Sequence, residues 1–368
     1  MITFTKEPQG TLLNAYNNSV VEFNSDLGTA ARALIEVSGY KFDITPNKDS
    51  FYFNLKDVVT VLMNDNAFYD AIEITLPNIY VIPDSSLYKE LSVKFTVIRT
   101  NGASDNITKV FKFFKSVQQV DSEIFTKSDL LRFLTPSRDT VPTVTYFEGL
   151  PFDVSIYSDI ARTVTIKNKR TSGTLDIQLA KGVNRLFISS GEIDNLGFET
   201  QLPLYEGINQ LEFSFDGNIQ TLLVDKKPSD CGIYLKWFNQ SGSWSYWRFQ
   251  KSHRVNVSTK SLDTINNDFD NLEDTISREY DMGKEVSREF RISTGKMYEH
   301  QRYVLEQIFG SPRVYLYTTS NLQLLSKSNF RTIDLKNSRQ QINDTRKKSH
   351  ELIFDIQLPN DYAQTYGS

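Results

Sequence analysis

Period-two alternation in short runs, punctuated by turn residues, limits this chain more than any other feature. Leu91, Val93, Phe95 and Val97 are separated by single polar residues, and Asn101-Gly102 follows them. Successive strand side chains point to opposite faces, so such a run buries one face and wets the other. Asn-Gly marks the turn into a return strand, Ile107 to Phe114. The pattern recurs along the chain. Ala31, Ala33, Ile35 and Val37 alternate up to Ser38-Gly39, and Leu175, Ile177 and Leu179 alternate further on. Leu211, Phe213 and Phe215 run into Asp216-Gly217, with Ile219, Leu222 and Leu223 beyond, which predicts a hairpin. Leu352, Phe354, Ile356 and Leu358 give a late strand. Short strands at this density point to antiparallel β-sandwiches of immunoglobulin-like type in tandem.

Helical periodicity is rare. Leu55, Val58, Val59 and Leu62 share a face after Asn54, a candidate N-cap. A second helix is predicted over about 296–309, with Met297, Val304, Leu305 and Ile308 buried, Gly310 past its end and Pro312 as the stop. With 368 residues there is room for two or three domains. The expected division is an amino-terminal sandwich with one short helix (1–118), an immunoglobulin-like sandwich (119–228), and a β domain carrying the second helix (229–368).

Composition removes several classes of function. Lys plus Arg is 41 and Asp plus Glu 45, a net charge of −4, which offers nucleic acid or an anionic membrane no bulk attraction. No run approaches the ~20 apolar residues of a membrane span, and the amino terminus does not read as a secretory leader. Cys231 is the single cysteine, so no internal disulfide forms; it is expected to be buried or half-buried, in a chain made in a reducing cytoplasm. His253, His300 and His350 show no metal-ligand spacing and read as surface residues. No phosphate-cradling loop and no nucleophile elbow appear. The chain is therefore expected to be no enzyme, and to carry no cofactor, metal or catalytic residue. An all-β glycosidase would have to bring two distant carboxylates together in a cleft.

Two constellations remain. Trp237, Trp244, Tyr246 and Trp247 lie close together on either side of Asn239-Gln240-Ser241-Gly242-Ser243, an aromatic hairpin. Exposed, Trp237, Trp244 and Trp247 would be a stacking platform for sugars or bases and make the chain an adhesion module. The alternation of Ile233, Leu235 and Trp237 favours a core instead. The second constellation is electrostatic. Residues 263–289 hold nine acidic and three basic residues, a local net of −6, whereas 327–350 hold seven basic and two acidic, a local net of +5. Asp263, Asp268, Asp270, Glu273 and Asp274 on one side, and Arg339, Arg346, Lys347 and Lys348 on the other, are candidates for a subunit interface. Complementary charge of this kind sets register between copies; two solvated loops would look the same in sequence.

Several stretches resemble tail proteins of bacteriophages infecting Bacteroidetes, crAss-like phages among them. They are Tyr40-Lys41-Phe42-Asp43-Ile44-Thr45-Pro46, Phe51 to Val59, Gly232 to Trp237, Gly242 to Trp247, Ser293-Thr294-Gly295-Lys296, and Gly310 to Leu316. The resemblance implies a tail-hub-like or tube-like carboxy-terminal domain. It implies a virion component made in the host cytoplasm, a hub or ring subunit assembled in multiple copies. Such a subunit would meet other tail, ring or portal-proximal proteins and DNA only as transiting genome, without membrane insertion.

Overall fold

A computed structural model gives the structure of the chain and describes residues 1–8, 10, 12–25, 30–48, 50–118, 130–137, 139–191, 195–229, 231–266, 273, 279–318, 329–336 and 351–360. The protein is mainly β: tandem antiparallel sheets, with one short helix early in the chain and one near its carboxyl end. It divides into two compact units. The first comprises Met1–Ser229, Phe238–Ser245 and Tyr303–Pro312. The second comprises Asp230–Trp237, Tyr246–Arg302 and Arg313–Ser368. The expected boundary after 118 adjoins 119–129, which lie outside the described residues.

The first unit contains two sandwiches. The first runs β1 (Ile2–Lys6), β2 (Leu12–Asn14), β3 (Val20–Ser25), β4 (Ala30–Val37), β5 (Tyr40–Ile44), β6 (Phe51–Asn54), α1 (Lys56–Met63), β7 (Val81–Pro83), β8 (Tyr88–Arg99) and β9 (Ser104–Phe114). One sheet has the order β1-β3-β6 and the other β2-β9-β8-β4-β5. The second sandwich runs β10 (Leu131–Phe133), β11 (Thr143–Phe147), β12 (Phe152–Ser158), β13 (Arg162–Asn168), β14 (Thr174–Leu179), β15 (Gly182–Ser189), β16 (Gly207–Phe215) and β17 (Asn218–Lys227). Its sheets are β10-β12-β15-β7 and β11-β17-β16-β13-β14. Apart from the borrowed β7, the two orders are the same. In each, the second strand pairs parallel with the last, β2 with β9 and β11 with β17, while the other paired strands run antiparallel. This is immunoglobulin-like connectivity: one strand splits between the two sheets, and a hairpin closes the larger one.

Alternation sorts the first core. Leu91, Val93, Phe95 and Val97 of β8 face Ala33, Ile35 and Val37 of β4, joined by Val21, Phe23 and Phe51. Ala31 departs from its predicted inward position and is exposed. The register slips between Ala30 and Arg32, and such a bulge turns the extra residue out of the ladder. Helix α1 begins at Lys56 with Leu55, not the expected Asn54, at the cap position; the Lys56 N–H donates to the Asn54 side-chain oxygen at 3.1 Å, so Asn54 supports the helix start from one residue before the cap.

The second unit is built around β18 (Ile233–Phe238), β19 (Trp244–Phe249), β20 (Arg254–Ser261), β21 (Thr264–Asn266), β22 (Glu279–Asp281), β23 (Lys284–Ser293), α2 (Glu299–Glu306), β24 (Val314–Tyr317), β25 (Phe330–Leu335) and β26 (Ile353–Gln357), although the tip of the β18–β19 hairpin and the end of α2 belong to the first unit. Seven strands form one sheet in the order β19-β18-β24-β25-β26-β23-β20. Helix α2 starts at Glu299, later than predicted, because the Tyr298 N–H donates to the Gln301 side-chain oxygen at 3.0 Å and fixes the first turn there. Leu305 and Ile308 are buried as predicted; Met297 and Val304 are half-buried. Cys231, expected inside, is exposed, since it lies on the short link before β18 rather than on a strand.

Candidate assembly surface

Arg254 to Asn256 pair with a stretch of β23 that β26 backs on its other side, and beyond Val257 the two strands run on as a two-stranded arm. β20 pairs antiparallel with β23 from Arg254 opposite Arg291 to Ser261 opposite Lys284. The ladder continues through the Leu262 N–H to the Gly283 carbonyl (3.0 Å) and the Met282 N–H to the Asp263 carbonyl (2.8 Å), into β21 and β22. At ~3.3 Å per residue, the two-stranded part from Ser258 to Asn266 spans about 26 Å.

All eight residues of β20 are exposed. Val255 lies opposite Phe290, Val257 opposite Arg288 and Thr259 opposite Val286, so one face carries an apolar stripe. Val257 is 61% exposed. The other face holds Asn256, Ser258 and Lys260 against Glu289, Ser287 and Glu285, with the Ser258 and Ser287 hydroxyls 2.6 Å apart. β20 is the last strand of its sheet, so among the described residues half of its backbone N–H and C=O groups point outward. An exposed edge with alternating valines is the feature monomeric sheet proteins suppress, because it templates pairing with another chain.

The acidic candidates lie on this arm as far as they are described. Asp263 is exposed just beyond β20 and accepts the Thr264 N–H, and Glu273 is exposed. Asp281, on β22, has its carboxyl held below the ordinary value by the Ser261 hydroxyl and then by Lys284, 3.3 Å away. Asp268, Asp270 and Asp274, and the basic candidates Arg339, Arg346, Lys347 and Lys348, lie outside the described residues.

The aromatic hairpin is interior. Trp237 is 0%, Trp244 6% and Trp247 5% exposed. The single buried face expected of this hairpin is replaced by burial on both faces, since nearly every residue of β18 and β19 is covered. Tyr234 stacks on Tyr246 and meets the edge of Tyr317, and the buried Lys236 ammonium lies 4.6 Å from the Phe330 ring centroid. Sequence alternation missed this because a strand covered on both sides has no wet face to display.

Among the described residues, no group of His, Cys, Asp and Glu could hold a metal ion, and no helix is long and apolar enough to cross a membrane.

No family model matches the chain, and no curated protein matches it. Among solved structures it is similar to fibronectin(III)-like modules of CbhA from Clostridium thermocellum, at 9% identity over 62% of this chain and 95% of that one, with a TM-score of 0.20. It is also similar to a chimeric titin Z1Z2 tandem, at 11% identity over 62% and 100%, TM-score 0.17. A tetra-tandem repeat from the extending region of a large adhesion protein is 12% identical over 79% and 69%, TM-score 0.22.

Proposed function

We propose that the chain is a structural, non-enzymatic subunit of a phage tail, a hub or ring protein that assembles with copies of itself around the DNA channel and joins other tail components. The observation that carries this reading is the exposed arm. A two-stranded ribbon about 26 Å long is marginal alone in water, and the unpaired edge of β20 gives it a means of joining a neighbour by strand addition. The sequence supplies a partner for its charge: −6 over 263–289 against +5 over 327–350. A contact from the acidic arm of one copy to the basic segment of the next is heterologous, and heterologous contacts close into rings when the rotation allows. In this reading no cofactor is needed and DNA is met only in transit. The sugar-binding alternative loses its platform, because the three tryptophan rings are buried.

The test is assembly state by light scattering and negative-stain imaging, for the wild type and for a variant carrying Val255→Lys and Val257→Lys, alone and with co-expressed neighbouring gene products. Closed rings from the wild type are expected, and a monomer of unchanged melting temperature from the variant, since both positions are exposed. A monomeric wild type under every condition, or rings that survive both lysines, would sink the arm-mediated reading.

A further inference from the structure

One cavity in the first unit is unrelated to the arm. It measures about 270 Å³, is partly open, and is lined chiefly by Tyr16, Phe68, Lys115, Val117, Phe238 and Pro312. Every residue lining it belongs to that unit. Its walls are mostly apolar: Tyr16 stacks on Phe68 (6.0 Å between centroids), Phe68 meets Phe238 edge-on (5.0 Å), and Phe238 meets Trp244 edge-on (5.2 Å). The floor is rigid. The Val117 N–H donates to the Gln240 carbonyl at 2.9 Å, the Gln240 N–H to the Gln307 side-chain oxygen at 3.1 Å, and the Asn239 amide to the hydroxyls of Ser243 and Ser245.

Two features of the wall cost free energy. Ala67 and Phe68 both have positive φ, 46° and 59°, a region where a non-glycine residue is strained. That turn presents Phe68 to the cavity and is pinned by Asn66, whose side-chain oxygen accepts the Phe68 N–H (3.3 Å) and whose amide donates to the Tyr69 carbonyl (3.2 Å). The second feature is Lys115, 1% exposed. Its ammonium has one hydrogen-bond acceptor among the described residues, the Asn66 side-chain oxygen at 2.6 Å, and sits 4.2 Å from the Phe68 ring centroid. No carboxylate lies within ion-pair distance of it among the described residues. A buried lysine normally has such a partner. Three N–H donors with one protein acceptor, in an apolar pocket of one-ring size, describe a site short of an anion.

We infer that this cavity binds a small monocarboxylate with an aromatic or short aliphatic body, the carboxylate accepting the spare N–H groups of Lys115 and the body lying among Tyr16, Phe68 and Phe238. Size agrees, since an apolar cavity of ~150 Å³ already holds a benzene ring. The ammonium–carboxylate contact in a low-dielectric wall is charge-assisted. The charged groups acting on Lys115 are Asp65 and Asp84, which favour its charged form, and Lys89, which opposes it. Tyr16 stays neutral across the working range, because burial raises its hydroxyl pKa.

The experiment is calorimetric titration of the full chain with benzoate and phenylacetate, with benzyl alcohol as the uncharged control. Saturable one-to-one binding of a carboxylate at pH 7 is expected, at least tenfold weaker at pH 9.5, at least tenfold weaker for benzyl alcohol, and lost in Lys115→Met. A second variant, Gly310→Leu, occludes the mouth without touching the charge; a Cβ at Gly310 meets only the Gln240 amide nitrogen, at 3.6 Å, so this variant is expected to fold and to lose binding. No saturable binding of either carboxylate, or affinity unchanged in Lys115→Met, overturns the proposal; should that variant not fold, unchanged affinity in Gly310→Leu overturns it instead.

Discussion

The two sandwiches of the first unit share a strand order and differ in what covers the outer face of the smaller sheet. In the first, Glu22 of β3 sits opposite Tyr52 of β6; Tyr52 is 51% exposed and its hydroxyl donates to the Glu22 carboxylate at 2.9 Å, in water. In the second, at the corresponding strands, Ser155 of β12 sits opposite Arg185 of β15, and every residue of both strands is buried. The cover comes from the first sandwich. β7 adds to the edge of β15, Tyr88 and Phe114 pack on Tyr157, and the connection after α1 brings Asp70 and Asp84 to Arg185. Arg185 grips Asp153 with two nitrogens, at 2.9 and 2.7 Å, and Asp70 with a third at 2.6 Å. The same topology thus yields a surface pair in one copy and a buried ionic knot in the other. Only the second ties the sandwiches together.

Breaking the knot should have the largest effect. Arg185→Leu leaves Asp153 and Asp70 buried without their cation, which costs about 3–5 kcal/mol. Tyr52→Phe removes the corresponding surface hydrogen bond and should cost under about 0.5 kcal/mol. Urea unfolding followed by circular dichroism and amide exchange distinguishes them. Arg185→Leu should also separate the two sandwiches into distinct transitions, because the knot is shared by both. A loss below about 1 kcal/mol in a single transition would mean that the apolar seam of Tyr88, Phe114 and Tyr157 holds the pair without the ions.

How much of this was legible in sequence follows the same divide. Sheets with one wet face announce themselves, and β4, β8, β14, β16, β17 and β26 stand where alternation places them. The small-sheet strands of the second sandwich do not alternate. Phe152 to Ser158 mixes Asp, Ser and Tyr with apolar residues because both of its faces are buried, one of them by polar partners more than 30 residues away. No local pattern encodes that Asp70 reaches Arg185. The arm was visible only as an acidic stretch: β20 carries little alternation beyond Val255 and Val257. Lys115, on the link just past β9, reads in sequence as one more basic residue after Phe113-Phe114, and nothing local signals its burial.

Lys115 and Arg185 sharpen the comparison further, as two buried cations, one with carboxylates and one with an amide. Burial pushes the Lys115 ammonium down to about 8, against opposing help from Asp65 and Asp84. The unfolded chain, titrating near 10.4, binds more protons than the folded one between about pH 8 and 10, so stability rises with pH through that window. At neutral pH the charged lysine is a net cost, on the order of 1–3 kcal/mol. Lys115→Met should therefore raise the midpoint at pH 7 and flatten the rise between pH 7.5 and 9.5, below the range in which Tyr16, Tyr88 and Tyr146, all raised by burial, would affect the unfolded chain. A variant less stable than wild type at pH 7 would show that the Asn66 contact outweighs desolvation.

The smallest expected effect tests whether the two sandwiches obey one rule where their geometry differs least. Their closing hairpins use different turns. β16 and β17 are joined by Asp216 and Gly217, both at positive φ (44° and 77°), a two-residue loop of the type whose twist matches the strands. β8 and β9 are joined by a longer loop. There the Gly102 N–H donates to the Arg99 carbonyl at 3.0 Å, the Arg99 N–H to the Ala103 carbonyl at 2.9 Å, and only Gly102 has positive φ, at 83°. An added Cβ would meet nothing within 4 Å at either glycine. The cost of Gly102→Ala and of Gly217→Ala is then purely conformational, about 1 kcal/mol each by urea unfolding. Equal losses mean that left-handed backbone alone sets the cost. A markedly smaller loss at Gly102 would mean that the longer loop relaxes to negative φ. The same freedom is denied to Gly217, because Asp216 beside it is held by the Arg162 guanidinium at 2.6 Å.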